Sequence, residues 1–373
     1  MTVEIKEVLS NRDLVTFIRY PLSLYKNNPY YVPSLFEDEL NTLRKDRNPA
    51  FATGKARYWL AYRDGQIVGR VAALYVAGDE LKWGNKHIRF GWLDFIDDAE
   101  VVRALMDQVE GWAKEMGLTG VHGPLGFTDL DREGMLVEGF DCIATLATNY
   151  NYPYYKDRLE ELGYGKDIDW LEFKITLVTE YEARIARASE LVAKKHNLHM
   201  YKGNKKGLLK LAPQIFEVIE EAYRGLYGTV PLSKEQVDTY ISSYFGLAIN
   251  EYIPIVLDEN DRVVAFGITF PSFSKALQKS KGKLLPFGFI HFLRAMKKND
   301  VADLYLVGVR DEYRGLGLNA MCMDQIYKAF KKNGIRYVDT NLNLETNNDV
   351  QAMWKYFKTE QVKRMRCFIK NLA

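Results

Sequence analysis

Apolar and polar residues along this 373-residue chain spell out one order of elements twice. In the first half, alternation predicts strands from Tyr58 to Arg63 and from Ile67 to Tyr75. They flank Asp64-Gly65, a tight-hairpin signal. A third strand is expected from about Ile88 to Phe95. Val102, Leu105, Met106, Val109, Trp112 and Ala113 then recur at helical spacing, which predicts a helix from Ala99 to Met116 stopped by Gly117. A strand near Gly120 to His122, a helix from Tyr154 to Leu162 and a strand from Trp170 to Ile175 complete this half. An amphipathic segment from Leu9 to Leu24 and a proline-punctuated stretch precede it.

The same order returns in the second half. Ile215 to Leu226 and Lys234 to Tyr244 read as helices. Tyr252 to Leu257 and Val263 to Thr269 read as strands around the turn Asp258 to Arg262. Asp303 to Val309 is the next strand. Leu318 to Lys332 is a helix with Met321, Gln325, Ile326, Ala329 and Phe330 inward, stopped by Asn333-Gly334. A strand from Arg336 to Leu344, a helix from Asp349 to Phe357 and a strand from Lys363 to Ile369 follow. The copies share architecture, not text. The boundary falls within 176–212, a lysine-rich region that reads as a solvated helix and linker.

Length supports this division, since 373 residues exceed the usual size of one domain. Net charge is only +2, which gives no support to nucleic-acid binding. Cys142, Cys322 and Cys367 are widely spaced and form no CxxC pair, so a zinc ribbon or redox motif is not expected. Free thiols fit a reducing cytoplasm. The N-terminal residues show no signal-peptide pattern, and no apolar run reaches the roughly 20 residues that span a bilayer.

The chemistry concentrates in Leu304 to Ala320, LYLVGVRDEYRGLGLNA. It reads as strand, charged loop, Arg-Gly-x-Gly turn and helix start. Glycines allow a tight turn and close backbone approach. The unbonded N–H groups of the first helical turn, aided by the helix dipole, suit an anion. A pyrophosphate fits that description, so a nucleotide-bearing substrate is the first expectation.

An antiparallel hairpin, a strand, this turn and a helix together resemble the GNAT superfamily of acyl-CoA-dependent N-acyltransferases, whose turn signature is [QR]-x-x-G-x-[GA]. Here it reads Arg314-Gly315-Leu316-Gly317-Leu318-Asn319, with Asn319 in place of the final small residue. The later family pattern N-x-x-A-x-x-[LI]-Y finds Asn347, Val350, Met353 and Trp354, so the family's tyrosine is replaced by tryptophan. The first half has Leu159-Glu160-Glu161-Leu162-Gly163-Tyr164, like the family's closing helix. At its strand–helix turn, however, it carries Asp97-Asp98-Ala99-Glu100, which would repel a pyrophosphate. Phe17 to Pro33 and Gly139 to Asp141 are similar to segments of a bacterial group of GNAT-like proteins of this length. The resemblance implies an α/β fold of the α+β kind: two tandem GNAT-like domains, each a mixed, mostly antiparallel sheet flanked by helices. Residues 1–178 would form a domain lacking the pyrophosphate loop, 179–210 a basic helical linker, and 211–373 the domain with the acyl-CoA motif.

What the resemblance implies for chemistry is an acyl group, acetyl in the simplest case, passing directly from CoA to an amine. Acetyl-CoA or another acyl-CoA would be the co-substrate, and no metal is implied. Arg314, Gly315, Leu316, Gly317, Leu318 and Asn319 would hold the pyrophosphate, Val307 and Val309 the pantetheine arm through backbone groups, and Asn347 the same arm. On the strand after the helix, Tyr337, Asp339, Asn341, Asn343 and Glu345 share one face by period two. Glu345, at its C-terminal end, is the base candidate, and Tyr356 the substitute for the missing tyrosine. Asn341, Asn343, Glu138 and Asp141 are candidates for contacting the acceptor, an amine-bearing small molecule or peptide.

Residues 273–298 form an insertion that is basic and apolar together. It reads either as a helix packed on its domain with lysines outward, or as a lid, acceptor-binding or membrane-surface segment for an acidic or lipid-like partner. His196 and His199 are close but lie in the charged linker, and His122 reads as structural. Two other function classes stay open. One is a non-catalytic acyl-CoA-binding or scaffold protein, motivated by the lost tyrosine. The other is an NAD(P)-dependent oxidoreductase, because Gly315-x-Gly317-x-x-Ala320 also fits the dinucleotide fingerprint with Asp339 about 20 residues on. The charged loop from Arg310 to Arg314, between strand and glycines, and the antiparallel hairpin upstream argue against the latter.

Overall fold

The computed structural model describes residues 2–178, 180, 182–244 and 249–372. In chain order the elements begin with β1 (Glu4–Glu7), α1 (Asn11–Leu24), α2 (Phe36–Leu43), β2 (Lys55–Arg63), β3 (Gln66–Tyr75), α3 (Ala77–Trp83), β4 (His87–Phe95), α4 (Ala99–Glu115), β5 (Gly120–Gly123), β6 (Met135–Glu138), α5 (Tyr154–Glu161) and β7 (Gly165–Thr176). They continue with α6 (Glu182–His196), β8 (His199–Met200), α7 (Lys205–Tyr223), α8 (Lys234–Tyr244), β9 (Ile255–Leu257), β10 (Val263–Pro271), α9 (Ser274–Ser280), α10 (Gly288–Lys297) and β11 (Val301–Val309). Last come α11 (Leu318–Lys332), β12 (Tyr337–Thr340), β13 (Asn343–Leu344), α12 (Asn348–Trp354) and β14 (Lys358–Asn371).

Local chemistry accounts for the best-predicted of these. Asp64 and Gly65 both take left-handed angles, φ 53° and 76°, as a two-residue hairpin turn requires. The strands they join pair from Arg63↔Gln66 to Lys55↔Tyr75. Ser10 starts α1 through a reciprocal capping box with Asp13. The apolar stripe of α4 is buried as expected, with Val101 added. In α11 the buried face is Leu318, Met321, Cys322, Ile326, Tyr327, Ala329 and Phe330, and Gln325 is half-buried.

The chain forms two compact units that interleave in sequence. Met1–Leu171, Ser274–Phe292 and Val362–Ala373 make the first; Glu172–Phe273 and Leu293–Gln361 make the second. This grouping differs from the consecutive spans 1–178, 179–210 and 211–373. From Val362 onward β14 ladders onto the first unit, with Phe368 opposite Gly123 and Met365 opposite Leu136. Gln278 Nε2 on α9 donates to the carbonyls of Pro29 and Tyr31, and Phe36 N–H donates to the Gly282 carbonyl. Backbone pairing, not sequence proximity, decides membership. Within 179–210, positions 179 and 181 lie outside the described residues. The rest of the span supplies α6, β8 and the start of α7, with all six of its lysines exposed.

Strand order in the first unit is β1-β2-β3-β4-β5-β14, with β6 on β14; in the second it runs from the part of β7 after Leu171 through β12, β11, β10 and β9 to β8. Among the described residues, β4/β5 and β11/β12 pair in parallel, and the other pairings with a settled register are antiparallel. The sheets are therefore mixed and mostly antiparallel. The first unit's core packs Trp59, Phe90, Phe95, Leu105, Val109, Tyr155 and their neighbours. The second packs Ile175, Ala302, Leu304, Ile326, Phe330, Val338 and Trp354. Among the described residues, no helix is long and apolar enough to cross a membrane.

Four expectations are corrected. Tyr252 belongs to a short 3-10 turn, Asn250–Tyr252, and the strand begins only at Ile255. The helix expected to Phe357 stops at Trp354, and the last strand is longer than expected at both ends. The strand expected from Arg336 to Leu344 breaks after Thr340. There Asn341 turns its N–H to the Leu304 carbonyl, and Asn343 donates to Thr340 Oγ1 and the Asn341 carbonyl. Asparagine side chains compete with the ladder for backbone partners. The five alternating polar residues consequently do not form one continuous face.

Candidate functional site

The second unit's site begins with a bulge in β11. Ile268 pairs with Leu306 but Thr269 with Leu304, so Tyr305 is extra. One extra residue inverts which backbone groups face the neighbouring strand. β11 pairs with β12 only from Val301 to Leu304. Beyond that point Val307 turns its N–H and C=O away from β10. Both meet one side chain: Tyr223 Oη, on the last residue of α7, donates to the Val307 carbonyl at 3.0 Å and accepts from its N–H at 3.3 Å.

The loop after β11 is fastened to α7. Arg310 pairs with Glu217 at 2.9 Å and Glu221 at 3.1 Å. Arg314 donates to the Ala222 carbonyl at 3.1 Å and pairs with Asp311 at 2.9 Å. Gly315 and Gly317 then adopt φ 74° and 87°, and Gly317 is the N-cap of α11. A side chain at either position would be strained. A glycine cap brings no side-chain oxygen to the helix start. Among the described residues, no acceptor takes the N–H groups of Gly315, Gly317, Leu318 or Asn319.

These parts line one open cavity of about 440 Å3. Its walls include Tyr223, Val307, Val309, Arg314, Gly315, Gly317, Leu318, Asn319 and Asn347. Asn319 Nδ2 donates to Met353 Sδ, while its buried Oδ1 has no partner among the described residues. Four backbone donors, an arginine, a buried acceptor and a freed strand edge suit a long ligand with an anionic end and an amide-bearing arm. Cys322, one turn into α11, is no nucleophile: burial pushes its thiol up to about 12.

The predicted site residues divide clearly. Val307, Val309, Arg314, Gly315, Gly317, Leu318, Asn319 and Asn347 all line the cavity. Leu316 instead packs toward Leu198, Val256 and Met321. Glu345 is half-buried and does not line the cavity, and its carbonyl accepts from Gln351 Nε2. Tyr356 is 61% exposed, with the Arg184 guanidinium 5.3 Å from its ring centre. Asn341 donates to the Tyr305 carbonyl at the point where β11 and β12 part. Asn343 is buried and accepts from the Trp354 indole N–H at 3.4 Å. Glu138 and Asp141 belong to the first unit, where Glu138 pairs with Arg364 at 3.2 Å and Asp141 is exposed.

Tyr223 was not singled out from the sequence. Its only signal is position, at the end of a helix that precedes the hairpin. A second grouping was also hidden. In the first unit, His122, Asp167 and Cys367 bring a ring nitrogen, a carboxylate oxygen and a thiol within 4.8 Å of one another. That donor set is of a type zinc accepts, and the three residues come from three separate strands.

Residues 213–358 match the acetyltransferase (GNAT) family. Most of the matched residues lie in the second unit. Over the whole length, the chain is similar to a tandem GNAT protein from the clavulanic acid biosynthesis pathway, with TM-score 0.59, 13% identity, and coverage of 99% of this chain and 98% of the other. A GCN5-related N-acetyltransferase from Sphaerobacter thermophilus gives TM-score 0.54 at 12% identity, covering 99% and 95%. At this identity the likeness shows the fold, which is tandem GNAT. Among curated relatives, Protein YghO of Escherichia coli K12 is 28% identical over 99% of this chain and 95% of its own. The bacterial ceramide synthase of Caulobacter vibrioides is 25% identical over 81% and 79%. The GNAT match spans α7 to the first residue of β14, so it contains every wall of the cavity.

Proposed function

We propose that the GNAT domain binds an acyl-CoA and transfers its acyl group to an amine. The observation that carries this reading is the set of unclaimed N–H groups at a glycine-capped helix start, in one cavity with the freed edge of β11. The pyrophosphate would take the Gly315–Asn319 donors with Arg314 nearby. The pantetheine amides would take β11 backbone groups and Asn319 Oδ1. The Val309 N–H would polarise the thioester carbonyl.

The amine nitrogen then attacks that carbonyl carbon. The C–N bond forms, the C–S bond breaks, and the sulfur leaves with a proton. Tyr223 is the proton donor in this scheme, since its hydroxyl is the phenol at the freed strand edge, while Tyr356 lies exposed outside the cavity. Trp354 is buried against Asn343 and supplies no acid. Glu345 keeps the role of base through water, two residues before the cavity-lining Asn347. The three free thiols accord with a cytoplasmic setting.

The acceptor has a second reading. The ceramide synthase relative favours a lipid-like amine over a small polar one or a peptide. The oxidoreductase reading loses ground, because Asp339, its ribose-binding candidate, does not line the cavity. Calorimetry with acetyl-CoA, longer acyl-CoAs and NAD(P)H separates these readings. Acyl-CoA binding that is lost in Gly315→Glu supports ours, and its chain-length preference names the donor. Absence of CoA binding at millimolar ligand rejects it. Binding without thiol release in the presence of an amine panel favours the non-catalytic alternative.

A further inference from the structure

Five of the seven residues from Leu284 to Ile290 are large, apolar and exposed: Leu284 38%, Leu285 77%, Phe287 72%, Phe289 43% and Ile290 36%. Single exposed apolar residues need no explanation, but a contiguous set does. The segment holding them is firmly seated in the first unit. Ala276 and Leu277 on α9 and Phe292 on α10 are buried. Gly282 packs so closely that a Cβ there would lie 2.2 Å from the Ser34 carbonyl oxygen. The apolar tips are thus displayed by an anchored loop and the helix start that follows it.

Charge identifies what they face. Residues 274–292 contain four lysines and no Asp or Glu. All four, Lys275, Lys279, Lys281 and Lys283, are exposed. A protein partner would need acidic residues matched to each cation. A bilayer with anionic headgroups answers both features at once. Its interface takes aromatic and leucine side chains, while its surface potential holds lysines without a fixed register.

We infer that the loop Lys281–Ile290 and the lysines around it dock this protein on the surface of an anionic membrane. The inference concerns a surface and stands apart from the acyltransferase reading, because vesicle binding is measured without CoA.

The test is flotation of the full chain with phosphatidylcholine vesicles, with and without phosphatidylglycerol. Binding to the anionic vesicles is expected, weakened at least about tenfold by neutral lipid or molar salt. Two variants probe the two features: Leu285→Ser with Phe287→Ser and Phe289→Ser, and Lys279→Glu with Lys281→Glu and Lys283→Glu. Each is expected to lower partitioning about tenfold or more with an unchanged melting temperature, because the side chains are exposed. Failure of the wild type to float, or flotation of the apolar variant like wild type, overturns the inference. So does a concentration-dependent dimer in ultracentrifugation that the apolar variant abolishes, which would assign the patch to a second copy of the chain.

Discussion

The two units each contain a corner where a strand, a short turn and a helix follow one another, and the corners have opposite fates. At the first, α4 starts on Asp98, whose carboxylate accepts from Glu100 and Val101 N–H and pairs with Arg63. The protein's own acid occupies the helix start. The end of β4 is closed as well: Phe95 N–H donates to Tyr155 Oη, and Tyr154 Oη donates to the Phe95 carbonyl. Asp94 beside it binds Arg70 and Tyr25 in the core. At the second corner, α11 starts on glycine, four N–H groups are unclaimed, and one tyrosine touches the strand edge inside a cavity. Identical architecture is filled in one unit and left open in the other, and the difference lies in a few side chains.

Removing the filling should cost most. Arg70 Nε meets Asp94 Oδ2 at 2.8 Å, and Tyr25 Oη meets Asp94 Oδ1 at 2.8 Å, all buried. Burial, and next the Asp94 charge, hold the Tyr25 phenol well above its ordinary range, so it stays a neutral donor. Asp94→Ala strands the guanidinium without its counter-ion, which costs about 3–5 kcal/mol. That is a large share of the roughly 5–15 kcal/mol that holds a domain folded. Urea unfolding should show the loss. A change under about 1 kcal/mol would mean that water enters and the corner is less tightly closed than its geometry implies.

Filling the open corner is the reverse experiment. In Gly315→Glu the new Cβ meets nothing within 4 Å, so the fold has room, although the left-handed backbone adds about 1–2 kcal/mol of strain. The carboxylate imitates the acid at the first corner. Loss of one or two charge-assisted hydrogen bonds would weaken acyl-CoA binding by about 100-fold or more. Equal binding by wild type and variant would detach the cofactor from this corner.

Tyr223→Phe asks whether the hydroxyl at the strand edge works or merely fills. A general acid contributes about 100-fold at the low end, where water substitutes in part. The expected result is kcat down by about that factor with KM for acyl-CoA little changed. Unchanged kcat with a lower KM would make Tyr223 a plug that ligand displaces.

Much of this contrast was legible in the sequence. Asp97-Asp98 against Arg314-Gly315-x-Gly317 marks the closed and open corners, because acid and glycine at a helix start have opposite consequences for an anion. The α4 and α11 stripes were legible for a similar reason: helical period is local. What could not be read was nonlocal. Tyr223 reaches Val307 across 84 residues, the bulge at Tyr305 appears only when β10 is in place, and β14 joins the first unit through strands more than 200 residues upstream. The polar alternation from Tyr337 to Glu345 misled, since asparagine at positions 341 and 343 spends its amide on nearby backbone.

The smallest effect sharpens the comparison furthest, because it changes the closed corner without opening it. Asp98→Ala removes the cap of α4 and should cost about 1 kcal/mol. The helix survives, since seven buried apolar residues each contribute roughly 1.5–3 kcal/mol. The hydrogen bond from Arg63 comes first in holding the Asp98 carboxyl below its ordinary value, with help from the Val101 and Glu100 N–H groups. A carboxyl lowered on folding stabilises above its unfolded pKa, about 3.9, and loses that contribution as pH falls through the lower folded value. Wild type and Asp98→Ala should therefore differ at pH 7 and converge below about pH 4. Acyl-CoA binding should be the same in both. A gap that persists in acid would mean that Asp98 acts by packing and not by charge, and the two corners would then differ in shape more than in electrostatics.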